Sequence, residues 1–162
     1  FDGRKGKAKL IFDKNQIFVV LDNIKFVSRL TEGVFPDYQQ IIPKKFTTDV
    51  VIDKDLFSGN LKTASVFSNK LNELYMAVGS KNGSISIKTS NNEAGEHIAN
   101  IPAKITGEEL KMTFNHKYIY DCLPHISSEK ILLRFSGEGK PLVITSTDDN
   151  SFQYIAMPMN MM

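Results

Sequence analysis

Residues 47–57 read Thr47-Thr48-Asp49-Val50-Val51-Ile52-Asp53-Lys54-Asp55-Leu56-Phe57. A β-branched run favours a strand from Thr47 to Ile52. It stops at Asp53, whose short carboxylate suits a helix N-cap. Beyond that cap the spacing changes from two to about 3.6. Phe57, Leu61 and Ala64 fall at i, i+4 and i+7, with Leu56 beside them, which predicts a helix from Lys54 to about Phe67 with this stripe inward. Three strands are expected next, at 73–78, 84–89 and 96–104. Lys81-Asn82-Gly83 supplies the first turn, since Asn-Gly tolerates positive φ at both positions. Gly107 closes the unit.

The pattern then repeats. A strand over 109–114 leads to Asn115, a second cap. A helix to about Leu123 follows, stopped by Pro124. Its stripe is Ile119, Cys122 and Leu123, with His116, Lys117, Tyr120 and Asp121 pointing elsewhere. Strands over 130–135, 142–147 and 151–157 complete the second unit, and Asp148-Asp149-Asn150 reads as a hairpin turn. The two caps stand 62 residues apart (115 − 53). An internal duplication is one supersecondary unit used twice. Two helices on an antiparallel sheet built from a duplicated β-α-β-β-β unit is an α+β arrangement.

Upstream, strands over 8–12, 16–21 and 24–30 form a meander, punctuated at Asp13-Lys14-Asn15 and Asp22-Asn23. Three strands alone bury too little apolar surface to stand independently. Gly33 and Pro36 break the pattern, and the stretch to Pro43 reads as a connector.

Composition limits the function classes. The 162 residues suit about one domain's worth of core. No apolar run approaches the ~18 residues of a membrane-spanning helix. The lone Cys122 leaves no internal disulfide and no multi-cysteine zinc site, and fits a reducing, cytoplasmic setting. There is no initiating Met, so a fragment or processed product is expected. Net charge is +2, with 13 basic against 9 acidic residues over 1–81 and 7 against 9 over 82–162. That excess permits weak, salt-sensitive phosphate contact.

Candidate chemistry is sparse. His97, His116 and His125 have no carboxylate partners at metal-site spacing, so neither metal nor cofactor is expected. Cys122 lies on an apolar stripe and reads as a small buried hydrophobe. Ser127-Ser128-Glu129-Lys130 matches Ser-x-x-Lys, but it lies between helix and strand rather than opening a helix. The face of the first helix carrying Lys54, Ser58, Lys62, Ser65 and Asn69 has two lysines and no acid; by composition it is a solvated face. Four of the six methionines lie in the last six residues. Pro158 cannot donate to a sheet ladder, so the last strand should stop near Met157. The tail is then a frayed core strand or a soft apolar wall for a peptide.

Several stretches resemble the bacterial DNA sliding clamp family, the β subunit of DNA polymerase III. They are Ser28-Arg29-Leu30-Thr31-Glu32-Gly33-Val34-Phe35-Pro36-Asp37-Tyr38, Asn92-Glu93-Ala94-Gly95-Glu96, Phe114-Asn115 ahead of Tyr118, and Tyr154-Ile155-Ala156-Met157-Pro158-Met159. The resemblance spans essentially the whole chain. It implies the DNA-clamp fold, with residues 1–38 as the last strands and connector of the family's second domain and 39–162 as its third. The first domain and most of the second would be absent.

The function implied is a non-catalytic processivity factor. As a head-to-tail ring of two subunits it encircles duplex DNA without reading sequence and tethers the replicative polymerase. Lys54, Lys62, His116 and Lys117 would face the DNA. A hydrophobic pocket would bind the polymerase III alpha subunit, the clamp loader delta subunit and other proteins carrying a clamp-binding motif. By motif match it includes Pro36, Gln40, Ile41, Asn115, Tyr118, Ile155, Ala156, Met157, Pro158, Met159 and Met161, with Asn115 and Tyr118 bonding the peptide backbone. Gln40 and Asn160 stand where relatives often have arginine. Val66 and Phe67 would meet the other subunit of the homodimer, and this portion alone is expected not to close the ring. Two other classes stay open: a free-standing peptide-binding domain with no DNA role, and a Ser-Lys or Cys hydrolase.

Overall fold

The computed structural model describes residues 6–79, 83–149 and 151–159. The chain divides into two units, Phe1–Asp37 and Tyr38–Met162. The first contains an antiparallel meander of β1 (Lys9–Phe12), β2 (Gln16–Leu21) and β3 (Ile24–Arg29). The turn between β2 and β3 places Asp22 at a φ of 51°, a left-handed geometry that aspartate tolerates. Leu10, Phe12, Phe26 and Val27 are exposed on this sheet.

The second unit opens with a 3-10 turn at Tyr38–Gln40 and then carries the duplicated pattern. Its first half is β4 (Thr48–Asp53), α1 (Lys54–Val66), β5 (Glu73–Gly79), β6 (Ser84–Asn91) and β7 (Gly95–Gly107). Its second half is β8 (Leu110–Asn115), α2 (His116–Cys122), β9 (Lys130–Phe135), β10 (Leu142–Ser146) and β11 (Gln153–Ala156). The eight strands run in the order β11-β10-β9-β4-β7-β6-β5-β8, antiparallel throughout. In the 81–83 turn, Lys81 and Asn82 lie outside the described residues, as does Asn150 of the later turn. Gly83 takes a φ of 58°.

Period-two alternation fixes the inner face of the sheet. Val50 and Ile52, Leu74 and Met76, Ile85 and Ile87, Met112 and Phe114, and Ile131 and Leu133 are all buried. Onto that face pack Phe57, Leu61 and Ala64 of α1 and Ile119 and Cys122 of α2. Each fully buried aliphatic or aromatic side chain contributes roughly 1.5–3 kcal/mol of transfer free energy. Both helices are capped as their sequences require. The Asp53 carboxylate accepts from Leu56 N at 2.8 Å and the Asn115 side chain from Lys117 N at 3.0 Å.

Three expectations need correction. Leu56 is 45% exposed, because one residue from Phe57 turns it about 100° off the stripe. His116 does not point away from the core: it precedes Ile119 by three residues on the same face and is 5% exposed. α2 ends at Cys122, and the turn through Pro124 is a separate 3-10 segment, Leu123–His125.

The two halves pair by a near-symmetric rule. The first strand of each half pairs with the second strand of the other: β4 with β9, and β8 with β5. β4 also pairs with β7, the last strand of its own half, from Thr48↔Gly107 to Ile52↔Ala103. The equivalent β8–β11 ladder is missing among the described residues. Instead the tail leaves β11 and Met159 N donates to Thr113 O of β8 at 2.8 Å. Among the described residues that is the hydrogen bond linking the two edges of the sheet, which carry no strand ladder between them.

Candidate functional site

α1 and α2 pack side by side on the sheet. Lys62 and Lys117 are exposed there, and neither has an ion-pair partner among the described residues. Lys54 is partly buried, and its Nζ donates to Ile126 O at 2.8 Å. Its charge is thereby committed to the protein's own backbone. His116 lines the groove between the helices from below. Burial, and secondarily the Lys117 charge, hold its imidazole below the ordinary histidine pKa, with Asp121 opposing. Of the four residues expected to face DNA, two present free cations. His116 is buried beneath them.

At the end of α1, Val66 is 68% exposed. Phe67 turns back instead and stacks on His97 of β7, with ring centroids 5.7 Å apart. Thr89 Oγ1 donates to Ala64 O, and Asn91 Nδ2 donates to Ser68 O. These bonds fix the helix terminus to the β6–β7 hairpin. Val66 is thus the protruding apolar residue, and Phe67 supports it.

The outer face of the sheet holds a continuous row. Asp49 of β4 is in register with Arg134 of β9, Arg134 with Val143 of β10, and Val143 with Ile155 of β11. Arg134 Nε bonds Asp49 Oδ1 at 3.2 Å, and its guanidinium lies 4.0 Å over the Phe46 ring. Val143 is fully buried although it stands opposite the main core. Its neighbour in register is Ile155. Ala156, next along the strand, faces the core and is 3% exposed, so its side chain is not available to the outer face.

Tyr118 of α2 and Met157 of the tail are both more than half exposed, and Ile41 nearly so. Pro158 and Met159 are half-buried. Gln40 is exposed in the 3-10 turn. Asn115 is occupied: besides capping α2 it donates to Leu71 O at 3.5 Å. Tyr154, from the opposite side of β11, reaches the α2 face. Burial raises its pKa, and Cys122, Asp121 and Tyr118 add to the effect. Pro36 belongs to the other unit, and Met161 lies outside the described residues.

The single cysteine is not poised as a nucleophile. The Cys122 thiol donates to Ile119 O, and burial pushes its pKa up to about 12, so it stays protonated. Among the described residues no three His, Cys, Asp or Glu side chains gather as metal ligands. No described helix is long and apolar enough to cross a membrane.

The family model for the DNA polymerase III beta subunit, C-terminal domain, matches residues 39–160. The chain belongs to that family. It is 28% identical over 154 residues to the beta sliding clamp of Streptococcus pneumoniae, covering 94% of this chain and 41% of the relative. The crystal structure of the Bacillus subtilis DNA polymerase sliding clamp superposes with a TM-score of 0.88 at 25% identity, over 99% of this chain and 43% of that one. A Pseudomonas aeruginosa sliding clamp crystallised with ligand gives the same TM-score at 22% identity, over 99% and 43%. The chain spans about 40% of the length of the curated relatives it matches.

In this clamp-family domain, Gln40, Ile41, Asn115, Tyr118, Ile155, Met157, Pro158 and Met159 all lie within the matched residues. The structure distributes them over the 3-10 turn, the segment after it, the start of α2, the outer side of β11 and the tail. Sequence reading missed Val143. It sits in an unbroken apolar run, Leu142-Val143-Ile144, where alternation cannot mark which residue faces outward. Its register with Ile155 is the only clue, and that is a property of the folded sheet.

Proposed function

We propose that this chain is the C-terminal portion of a bacterial sliding clamp. Residues 1–38 are the last strands and connector of the second clamp domain, and 39–162 are the third. In the full-length protein, two subunits close head to tail around duplex DNA in the cytoplasm and tether the polymerase without catalysing any step. Val66, backed by Phe67, meets the other subunit. Lys62 and Lys117 meet phosphates by charge alone, a mode that carries no sequence information.

The open seam between β8 and β11 carries the reading. A strand pair that the internal symmetry calls for is replaced by a tail with one cross-seam bond, leaving apolar side chains beside the gap. Ile155, Tyr118, Met157 and Met159 offer apolar walls of the kind that take a short peptide with a hydrophobic end. Such peptides occur in the polymerase III alpha subunit, the clamp loader delta subunit and other clamp-binding-motif proteins. Ile41, exposed just after the 3-10 turn, extends the same pocket.

The test is fluorescence polarisation with a labelled peptide of the Gln-Leu-x-Leu-Phe type. It should bind saturably and lose at least about tenfold in affinity, roughly 1.4 kcal/mol, when Met157 to Met162 are deleted from a chain that stays folded. Equal binding by the truncated chain would overturn the pocket.

A further inference from the structure

The chain holds six methionines, and those among the described residues differ sharply in their surroundings. Met76 and Met112 lie in the core at 0% and 2% exposure. Met159 is half-buried. Met157 is 55% exposed. Its place on the tail is fixed from both sides. Ala156 before it closes β11 in register with Leu142, and Met159 N after it donates to Thr113 O at 2.8 Å. Pro158 between them has its φ locked by its ring. The Met157 side chain is therefore presented at a set position beside the seam. While reduced, a thioether is a soft, adaptable apolar surface. Its sulfur is also open to oxidation, and exposure decides which sulfurs are attacked. The other sulfur chemistry of the chain is closed off, because Cys122 is buried and held as the thiol.

We propose that Met157 is a reversible oxidation site, at which hydrogen peroxide lowers the affinity of the chain for its peptide partners. The effect on affinity rests on the peptide pocket proposed above; the oxidation site itself does not. The Met157 sulfur lone pair attacks one peroxide oxygen. An S–O bond forms as the O–O bond breaks, and the second oxygen leaves as water, carrying the proton of the first. The sulfur gives up two electrons and the peroxide takes them. The product, methionine sulfoxide, is polar and chiral. A peptide with a hydrophobic end then has to cover the sulfoxide oxygen with apolar atoms, and burying a polar group without a hydrogen bond is costly. Packing supplies the selectivity: peroxide meets Met157 directly, but meets Met76 and Met112 only when the core opens. A dithiol-driven sulfoxide reductase reverses the step, releasing the oxygen as water and leaving a disulfide on the reductant.

The test treats the chain with hydrogen peroxide, scores each methionine by peptide-mapping mass spectrometry, and reads affinity for the labelled Gln-Leu-x-Leu-Phe peptide by polarisation. Met157 should convert ahead of Met76, Met112 and Met159, and affinity should fall about tenfold in step with it. The urea midpoint should stay put, because Met157 lies beyond the end of β11. Reductase treatment should restore the affinity. Met157→Leu has no sulfur at this position, so its affinity, measured against its own untreated value, should no longer respond to peroxide. Conversion of Met76 or Met112 ahead of Met157 overturns the site. Full conversion of Met157 with no loss of affinity, in a chain whose untreated form binds, overturns the control of binding and leaves the pocket standing. A loss that persists in Met157→Leu also overturns it, because another methionine is then responsible. No binding by the untreated chain overturns the pocket itself, and the control of binding with it.

Discussion

The two halves of the clamp domain share one plan and differ in how they end. The first half closes on itself: β7 runs 13 residues and its last five pair with β4, under a 13-residue α1. The second half has a seven-residue α2 and a four-residue β11, and among the described residues its last strand does not pair with its first. The closed half pairs its edge there with its own last strand. The open half leaves a gap with apolar side chains beside it. A duplicated scaffold can thus keep one copy for stability and release the other for recognition.

The largest effect is expected where the first half closes. Gly107 ends β7 at a φ of 119°, and a Cβ there would lie 2.0 Å from Thr47 O. The clash is with backbone, which cannot swing aside. Gly107→Ala should cost about 3 kcal/mol or more in urea unfolding, combining left-handed strain with displacement of the β4–β7 ladder. A loss under about 1 kcal/mol would mean that the closure can shift freely and that the contrast between the halves is not energetic.

Much of this architecture was legible in the sequence because it rests on short-range rules. Asp53 and Asn115 mark both helix starts, and the alternation around Val50 and Ile52 marks the inner face of β4. The misreadings have physical causes. Hydrophobicity groups Leu56 with the stripe, although its angular position puts it outside. Polarity alone marks His116 as outward, although its spacing to Ile119 puts it inside. Phe67 and Val66 looked alike, and only the stacking on His97 separates them. The open seam and the burial of Val143 depend on register between strands far apart in the chain, which no local pattern encodes.

The two caps sharpen the comparison at an intermediate scale. Removing either side chain orphans a backbone N–H, and Asp53→Ala and Asn115→Ala should each cost about 1 kcal/mol. Their functional consequences should diverge. Asp53 starts the helix of the closed half, so peptide affinity should not change. Asn115 starts the helix that carries Tyr118, and also ties to Leu71 O. Its loss frays α2 beside the seam, and peptide affinity should fall. Parallel urea and polarisation measurements on both variants would break the comparison if affinity fell equally in the two.

The smallest effect concerns pH, and it too separates the halves, because the buried imidazole belongs to α2. His116 is held below its ordinary value in the folded chain by burial and by Lys117. Unfolded, it titrates near the ordinary histidine value of about 6.5. Between those two values the unfolded state binds more protons, so stability rises with pH through that window and is fully recovered above the unfolded value. Falling pH should therefore weaken the chain below about neutrality, well above the range where carboxylates titrate. His116→Gln should flatten that part of the profile, by less than either cap substitution costs. The measurement is a series of urea midpoints across that pH window at constant ionic strength. Identical slopes for the parent and His116→Gln would show that the imidazole is not held neutral, and would remove the electrostatic distinction between α2 and α1.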